Sequence, residues 1–158
     1  GDVQDRRSIS GIIARLWENA ITWCSKKQGT ISESPFESEL VSANKASRMA
    51  KQVKTLCESL YLQPKKFTMK IRVKTDSKAT HDFSQAVGYT ARAKHLDVKN
   101  LKLQEDQRNG VLTVKWRERQ NQIDSDALTH AVGPTLHKKA RQRWNIVALD
   151  GEGEEISD

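Results

Sequence analysis

The sequence predicts an α/β fold: an antiparallel hairpin feeding a partly parallel, mixed central sheet with helices on both faces. Three observations lead there. β-rich segments open the chain, an unusually well-marked long helix follows, and strands then alternate with helical segments.

Ile12 to Leu16 and Ala20 to Ser25 read as strands joined by Trp17-Glu18-Asn19, a hairpin by length. Ile21 and Trp23 alternate with polar Thr22, the pattern of a half-buried strand. Ser34-Pro35-Phe36-Glu37 then marks a helix start: Ser34 caps, Pro35 suits the first turn, and Glu37 completes a capping box. Phe36, Leu40, Ala43, Ala46, Ala50, Val53, Cys57 and Leu60 follow in steps of three and four, giving one long helix with a buried face. Met69, Ile71 and Val73 alternate with basic residues in a strand leading to Thr75-Asp76. Helices are expected from Lys78 to Val87 and from Lys94 to Arg108, the latter stopped near Asn109-Gly110. Val111 to Trp116 is a strand, Asp124 to Val132 a short helix, Leu136 to Trp144 a basic helical segment, and Ile146 to Leu149 a candidate short strand. The predicted string is ββαβααβα and then a tail: one domain over residues 1–149 and an acidic tail over 150–158.

The 158 residues suffice for one ordinary core, and a mean hydropathy of -0.72 describes a polar chain. No apolar run reaches membrane-spanning length, and Gly1 to Ser10 is too polar for a signal peptide, so no membrane partner is expected. Cys24 and Cys57 are too few for a disulfide framework or a zinc site and are expected as reduced thiols of an intracellular protein. The net charge is +7, yet Asp150, Glu152, Glu154, Glu155 and Asp158 place five negative charges in the last nine residues, so the body carries +12. That excess fits a polyanionic partner, because displaced counterions drive non-specific nucleic-acid binding; it equally fits a solubility device.

Acidic residues on separate elements are the candidate chemistry: Glu39 in the first turn of the long helix, Asp76 at a strand end, and Asp126 opening a late helix. Ligands collect at the carboxyl ends of strands in open α/β sheets, and carboxylates arriving from several elements suit Mg²⁺, which prefers hard oxygen donors. Each acid also has a plain explanation, either complementing a helix dipole or making a turn after a strand. Lys45, Arg48, Lys51 and Lys54 give the long helix a basic side that either follows phosphates or is merely solvated. Trp17 and Trp116 are expected in the core or partly buried rather than stacked on a base. His81, His130 and His137 have no ligand spacing.

Several motifs stand in one order. They are Asp5-Arg6-Arg7-Ser8-Ile9-Ser10-Gly11, Ala20-Ile21-Thr22-Trp23-Cys24-Ser25-Lys26-Lys27-Gln28, Ser34-Pro35-Phe36-Glu37-Ser38-Glu39-Leu40, Thr75-Asp76-Ser77-Lys78-Ala79, Arg92-Ala93-Lys94-His95-Leu96-Asp97-Val98, and Gln122-Ile123-Asp124-Ser125-Asp126-Ala127-Leu128-Thr129-His130-Ala131. In register they resemble the ribonuclease H domain that ends the Pol polyprotein of copia-type LTR retrotransposons, over Gly1 to about Asp150. The resemblance implies a ribonuclease H-like fold and two-metal hydrolysis of the RNA strand of RNA–DNA hybrids during reverse transcription. It implies Glu39, Asp76 and Asp126 as catalytic residues holding two Mg²⁺ ions, with Mn²⁺ as a substitute. At the helix start Glu37 is the capping-box acid, which leaves Glu39 as the metal ligand. Arg92, Lys94 and His95 resemble the family's basic cluster, and with Lys45 and Arg48 they are the candidate nucleic-acid contacts. The implied partners are the hybrid and the upstream reverse transcriptase domain of the same polyprotein, in a cytoplasmic virus-like particle or the nucleus.

One part of the pattern has no counterpart. Family members carry a run similar to D-A-D-W-A-G-D before R-R-S-T-S-G, and Gly1-Asp2 aligns with its final G-D. Most of the first strand and the first catalytic Asp are therefore missing, and losing a central strand should leave unpaired backbone groups. Three explanations stand: a fragment or decayed copy of a longer polyprotein, a first strand supplied by a neighbouring segment or chain, or Asn145 to Asp150 filling the slot with Asp150 as a ligand. A catalytically dead ribonuclease H-like module that binds nucleic acid or braces a polymerase is the alternative function.

Overall fold

The structure, a computed structural model, describes residues 7–29, 32, 34–60, 68–87, 98–118 and 123–146. The elements run β1 (Ile9–Leu16), β2 (Asn19–Lys27), α1 (Pro35–Ser59), β3 (Ile71–Thr75), α2 (Lys78–Gln85), α3 (Val98–Arg108), β4 (Leu112–Trp116), α4 (Ile123–Asp126) and α5 (Pro134–Trp144). The expected element order is therefore present, with α5 as a helix of its own. Of the candidate strand Ile146 to Leu149, only Ile146 lies within the described residues, and it is not in a strand.

The expected single mixed sheet is not formed among the described residues. Antiparallel β1–β2 and parallel β3–β4 are separate two-stranded sheets. α1 packs against both β1 and β3 and is the element that joins them. Its N-terminus follows its sequence: Ser34 has extended backbone and its hydroxyl accepts from the Glu37 amide at 3.2 Å, with Pro35 in the first turn.

Residues with period 2 on the strands and period 3.6 on α1 meet in one core. Leu40 and Ala43 of α1, Ile71 and Val73 of β3, Phe83 of α2, Leu103 of α3, and Leu112 and Val114 of β4 form a buried cluster. Phe36 meets Phe83 edge to face, with ring centroids 5.7 Å apart. Arg72 and Lys74 point from β3 away from this core and are exposed. Among the described residues, then, β3 and β4 carry helices on one face, not on both. Asp106 of α3 is buried at 3% exposure beneath α1, where Lys51 pairs with it, the Ser47 hydroxyl lies 3.4 Å away and Lys102 3.5 Å away. The Lys102 ammonium is raised above its usual pKa, first by its hydrogen bond to Glu105 and further by Asp106.

The hairpin does have helices on both faces. Ser10 bonds to Ser42 of α1 at 2.7 Å, while its neighbour Gly11 faces the chain around α4. A Cβ on Gly11 would stand 2.6 Å from Thr129 Cγ2 and 2.7 Å from the Ser125 carbonyl, so this approach requires glycine. The register puts Cys24 opposite Ile12 and Thr22 opposite Ala14, on the α1 side; Trp23 lies opposite Ile13, on the α4 side. This reverses the expected alternation of β2: Thr22 is half-buried, whereas Ile21 and Trp23 are 48% and 60% exposed. The one-turn α4 is too short to cover them. Trp17 is likewise 58% exposed, because it sits with Glu18 in a two-residue turn where both have positive φ, a geometry matched to hairpin twist. Arg15 steadies that turn by donating to the Glu18 carbonyl.

A buried amide fixes the hairpin on α1. Gln28, 6% exposed, donates from Nε2 to Ser10 Oγ and to the Ser38 carbonyl, both at 3.0 Å, while Ser32 Oγ donates to its Oε1. Gln28→Ala strands these partners and should cost about 1–3 kcal/mol, read as a lower urea midpoint. Lys51→Met should lower the unfolding free energy by the smaller end of the about 3–5 kcal/mol typical of a broken buried pair, and the midpoint with it. Lys102→Met should leave it nearly unchanged, which the same urea titration checks.

Candidate functional site

Glu39, Asp76 and Asp126 line one cleft of about 1590 Å³ that runs between β1 and β3 over α1. Each reaches it by a different route. Glu39 is exposed and falls between Ser38, whose carbonyl Gln28 holds, and Leu40, which is fully buried. It is the fifth residue of α1 rather than a first-turn residue, so the helix dipole explains it less well than the sequence suggests. Glu37, the first-turn acid, is not among the residues lining the cleft.

Asp76 follows β3 directly and is half-buried. Ser77, not Asp76, caps α2: its hydroxyl accepts from the Thr80 amide at 3.2 Å. The Asp76 backbone is tied from the other side, since the indole of Trp116 donates to its carbonyl at 3.1 Å and the Arg117 amide donates to the Thr75 carbonyl at 2.9 Å. Trp116, 44% exposed, is thus partly buried and spent on positioning the strand end.

Asp126 closes α4 instead of opening a longer helix. The helix expected to run to Val132 stops after Asp126 and continues as turns. The Leu128 carbonyl is taken by the Ser25 hydroxyl, and the Gly11 approach fixes Ser125 and Thr129 against β1. These contacts are long-range, and they set the Asp126 position in place of local helix propensity.

The donor chemistry of the three acids suits a hard divalent cation, but their spacing does not. Among the described residues no group of three or more His, Cys, Asp or Glu side chains could hold a metal ion. The acids share a cleft without converging on one point in it.

The cationic residues of the cleft differ from those expected. Arg15, Lys54, Lys70, Arg72, Lys74, Arg117 and Arg143 line it, and Lys45 and Arg48 do not. Lys51 and Lys54, expected on the same basic side of α1, instead pair with Asp106 and Glu58. Arg92, Lys94 and His95 lie outside the described residues, as do Asp2, Asp5 and Asp150. Arg117, just past β4, and Arg143, in the last turn of α5, were not among the expected contacts, although α5 was expected as a basic helical segment. Arg72 and Lys74 could have been read from the sequence as the outward positions of the β3 alternation.

No family model matches the chain, and no solved structure matches it. It is 30% identical over 135 residues, 84% of its length, to the Retrovirus-related Pol polyprotein from transposon TNT 1-94 of Nicotiana tabacum, of which it spans 10%. A shorter stretch of 50 residues, 32% of the chain, is 40% identical to 35% of the Secreted RxLR effector protein 161 of Plasmopara viticola. No described helix is long and apolar enough to cross a membrane. The long, near-complete similarity supports one statement of kinship: the chain resembles a region of a retrotransposon Pol polyprotein.

Proposed function

We propose that the chain is the ribonuclease H region of a copia-type Pol polyprotein and that it acts on the RNA strand of RNA–DNA hybrids during reverse transcription. The observation that carries this reading is the shared cleft: Glu39, Asp76 and Asp126, on separate elements, all line it beside Arg117 and Arg143. Clustered cations beside acids suit a polyanion, whose phosphates the cations attract while the acids face the backbone to be cut. Recognition would rest on hybrid shape and 2′-hydroxyls, with little reading of sequence. In this reading a reverse transcriptase domain of the same polyprotein is the covalent partner, and a virus-like particle or the nucleus is the place of action.

Mg²⁺ or Mn²⁺ is the expected cofactor, and two-ion hydrolysis needs the ions about 3.5–4 Å apart. The described acids do not gather into such a site. The same observation favours a second reading, a ribonuclease H-like module that binds hybrid without cutting it.

Incubation of the chain with a labelled RNA–DNA hybrid in Mg²⁺ and in Mn²⁺, beside Asp76→Asn, separates the readings. The nuclease reading expects cut RNA, with the rate falling by at least about 100-fold in the variant, the scale of losing an electrostatic catalytic contact. Hybrid binding of equal strength in both proteins, with no cut RNA, would overturn it in favour of the binding module. Either way, Arg117→Ala and Arg143→Ala should each weaken hybrid binding and flatten the log K against log salt slope by about 1, measured by fluorescence anisotropy.

A further inference from the structure

The cleft is not the whole of the chain's cationic surface. α5 carries Lys138, Lys139, Arg141 and Arg143 within eleven residues and has no acid of its own. No cation there is neutralised from within the helix, unlike Lys54 of α1 and Lys102 of α3, which pair with acids on their own helices. Burial does not account for α5 either. Ala140 is its one buried residue, and every residue from Pro134 to Lys139 is exposed.

A helix of this length is marginal in water without packing, and α5 is held by its ends. Pro134 opens it after Gly133. At the other end Asn145 is left-handed, and its backbone amide and that of Ile146 donate to the Gln142 and Arg141 carbonyls, both at 3.1 Å. The Asn145 side chain also donates to the side-chain oxygen of Asn19, which directly follows the cleft-lining residues Trp17 and Glu18. The C-terminal end of α5 is thus fixed at the cleft, and the rest of the helix stands open to solvent.

Helix periodicity divides the four cations into two pairs. Lys139 and Arg143 are four residues apart and share one side, whereas Lys138 and Arg141 are three apart and share the other. Arg143 lines the cleft, and Lys138, Lys139 and Arg141 do not. The side that Arg143 turns to the cleft therefore continues outward to Lys139, about 6 Å along the helix at about 1.5 Å per residue. A duplex carries about one phosphate charge per 1.7 Å of axis, so that step passes roughly three more phosphates. Arg143 is in the last turn, where the helix dipole favours a cation. Lys139 lies mid-helix, where the dipole gives no such reason.

We propose that the side of α5 bearing Arg143 and Lys139 is a second nucleic-acid contact surface, which grips the phosphates of a duplex where it leaves the cleft. The inference rests on the reading of the cleft as a hybrid-binding site, but it needs neither metal nor cleavage. A duplex is the occupant because the surface continues a cleft that is itself lined by seven Lys and Arg residues.

Fluorescence anisotropy with two RNA–DNA hybrids tests it. The cleft wall β1 has eight residues and is about 26 Å long. A hybrid of about eight base pairs spans it, and one of about eighteen extends well beyond, at about 3.4 Å per pair. Both Lys138 and Lys139 are exposed, and alanine is the better helix former, so the fold tolerates either change. Lys139→Ala should weaken the longer hybrid about three- to fivefold at low salt, the scale of one exposed ion pair. It should flatten the log K against log salt slope by about 1 and leave the shorter hybrid unchanged. Lys139→Arg should restore binding, and Lys138→Ala, the same loss of charge on the far side, should change neither hybrid. A longer hybrid indifferent to Lys139→Ala would overturn the proposal. So would equal damage from Lys138→Ala, which would show general attraction, or equal weakening of both hybrids, which would place Lys139 in the cleft. A polyglutamate peptide bound as tightly as the longer hybrid would assign the surface to acidic polypeptide and overturn it too. Arg117→Ala separates the two readings. If it weakens both hybrids while Lys139→Ala weakens neither, the α5 surface fails and the cleft reading stands. If it weakens neither while Lys139→Ala weakens the longer one, the cleft reading fails and the α5 surface stands. No binding of either hybrid overturns both.

Discussion

The arrangement depends on where α1 sits, and the buried Gln28 amide is what sets it on the hairpin. Ser10 of β1, Gln28 after β2 and Ser38 of α1 share one set of hydrogen bonds. An amide removed from water is costly unless paired, so the network tolerates little sliding of helix over strands. Leu40, two residues beyond Ser38, is locked into the core with Ile71 and Val73. Polar satisfaction thus fixes the helix to one sheet and apolar packing fixes it to the other. Glu39 lies between these anchors, so its place at the cleft follows from its neighbours' needs.

The other acids are placed by similar borrowed constraints. Asp76 rides on a strand end held by Trp116 and Arg117 from β4. Asp126 rides on a turn pressed against Gly11 and held by Ser25. None is positioned by its own local sequence. Each stands where a long-range contact between other residues puts it, which explains how acids far apart in sequence come to share one cleft. It also explains why they do not converge: among the described residues the bodies carrying them are joined through α1 packing and not through one sheet.

Much of the local structure was legible because its causes are local. Ser34-Pro35 starts α1, Asn109-Gly110 follows α3, and the β-branched run at 111–116 yields β4, close to where the pattern predicts. The acids Glu39, Asp76 and Asp126 were legible as candidates, and they line one cleft without gathering into a metal site among the described residues. What the pattern misjudged depends on partners distant in sequence. The β2 face was inverted because Ile12 and Cys24 share the α1 side, a matter of register and not of hydropathy. α4 was overestimated because Ser25 claims the Leu128 carbonyl. Lys51 was read as part of a basic side that either follows phosphates or is solvated, because nothing near it in sequence announces Asp106. The single mixed sheet was expected from element order, and order does not say which strands pair.

The two sheets also differ in when they can form. β1 and β2 meet across a two-residue turn, whereas Ile71 and Leu112 pair only after the chain has closed a loop of about forty residues through α2 and α3. A ribosome extends the chain from its N-terminus, so the hairpin and α1 can associate while β3 is still being made. During that interval Leu40 and Ala43 of α1 lack the β3 residues Ile71 and Val73 that later cover them. That stretch of helix, which also carries Glu39, is therefore the last wall of the cleft to gain its packing.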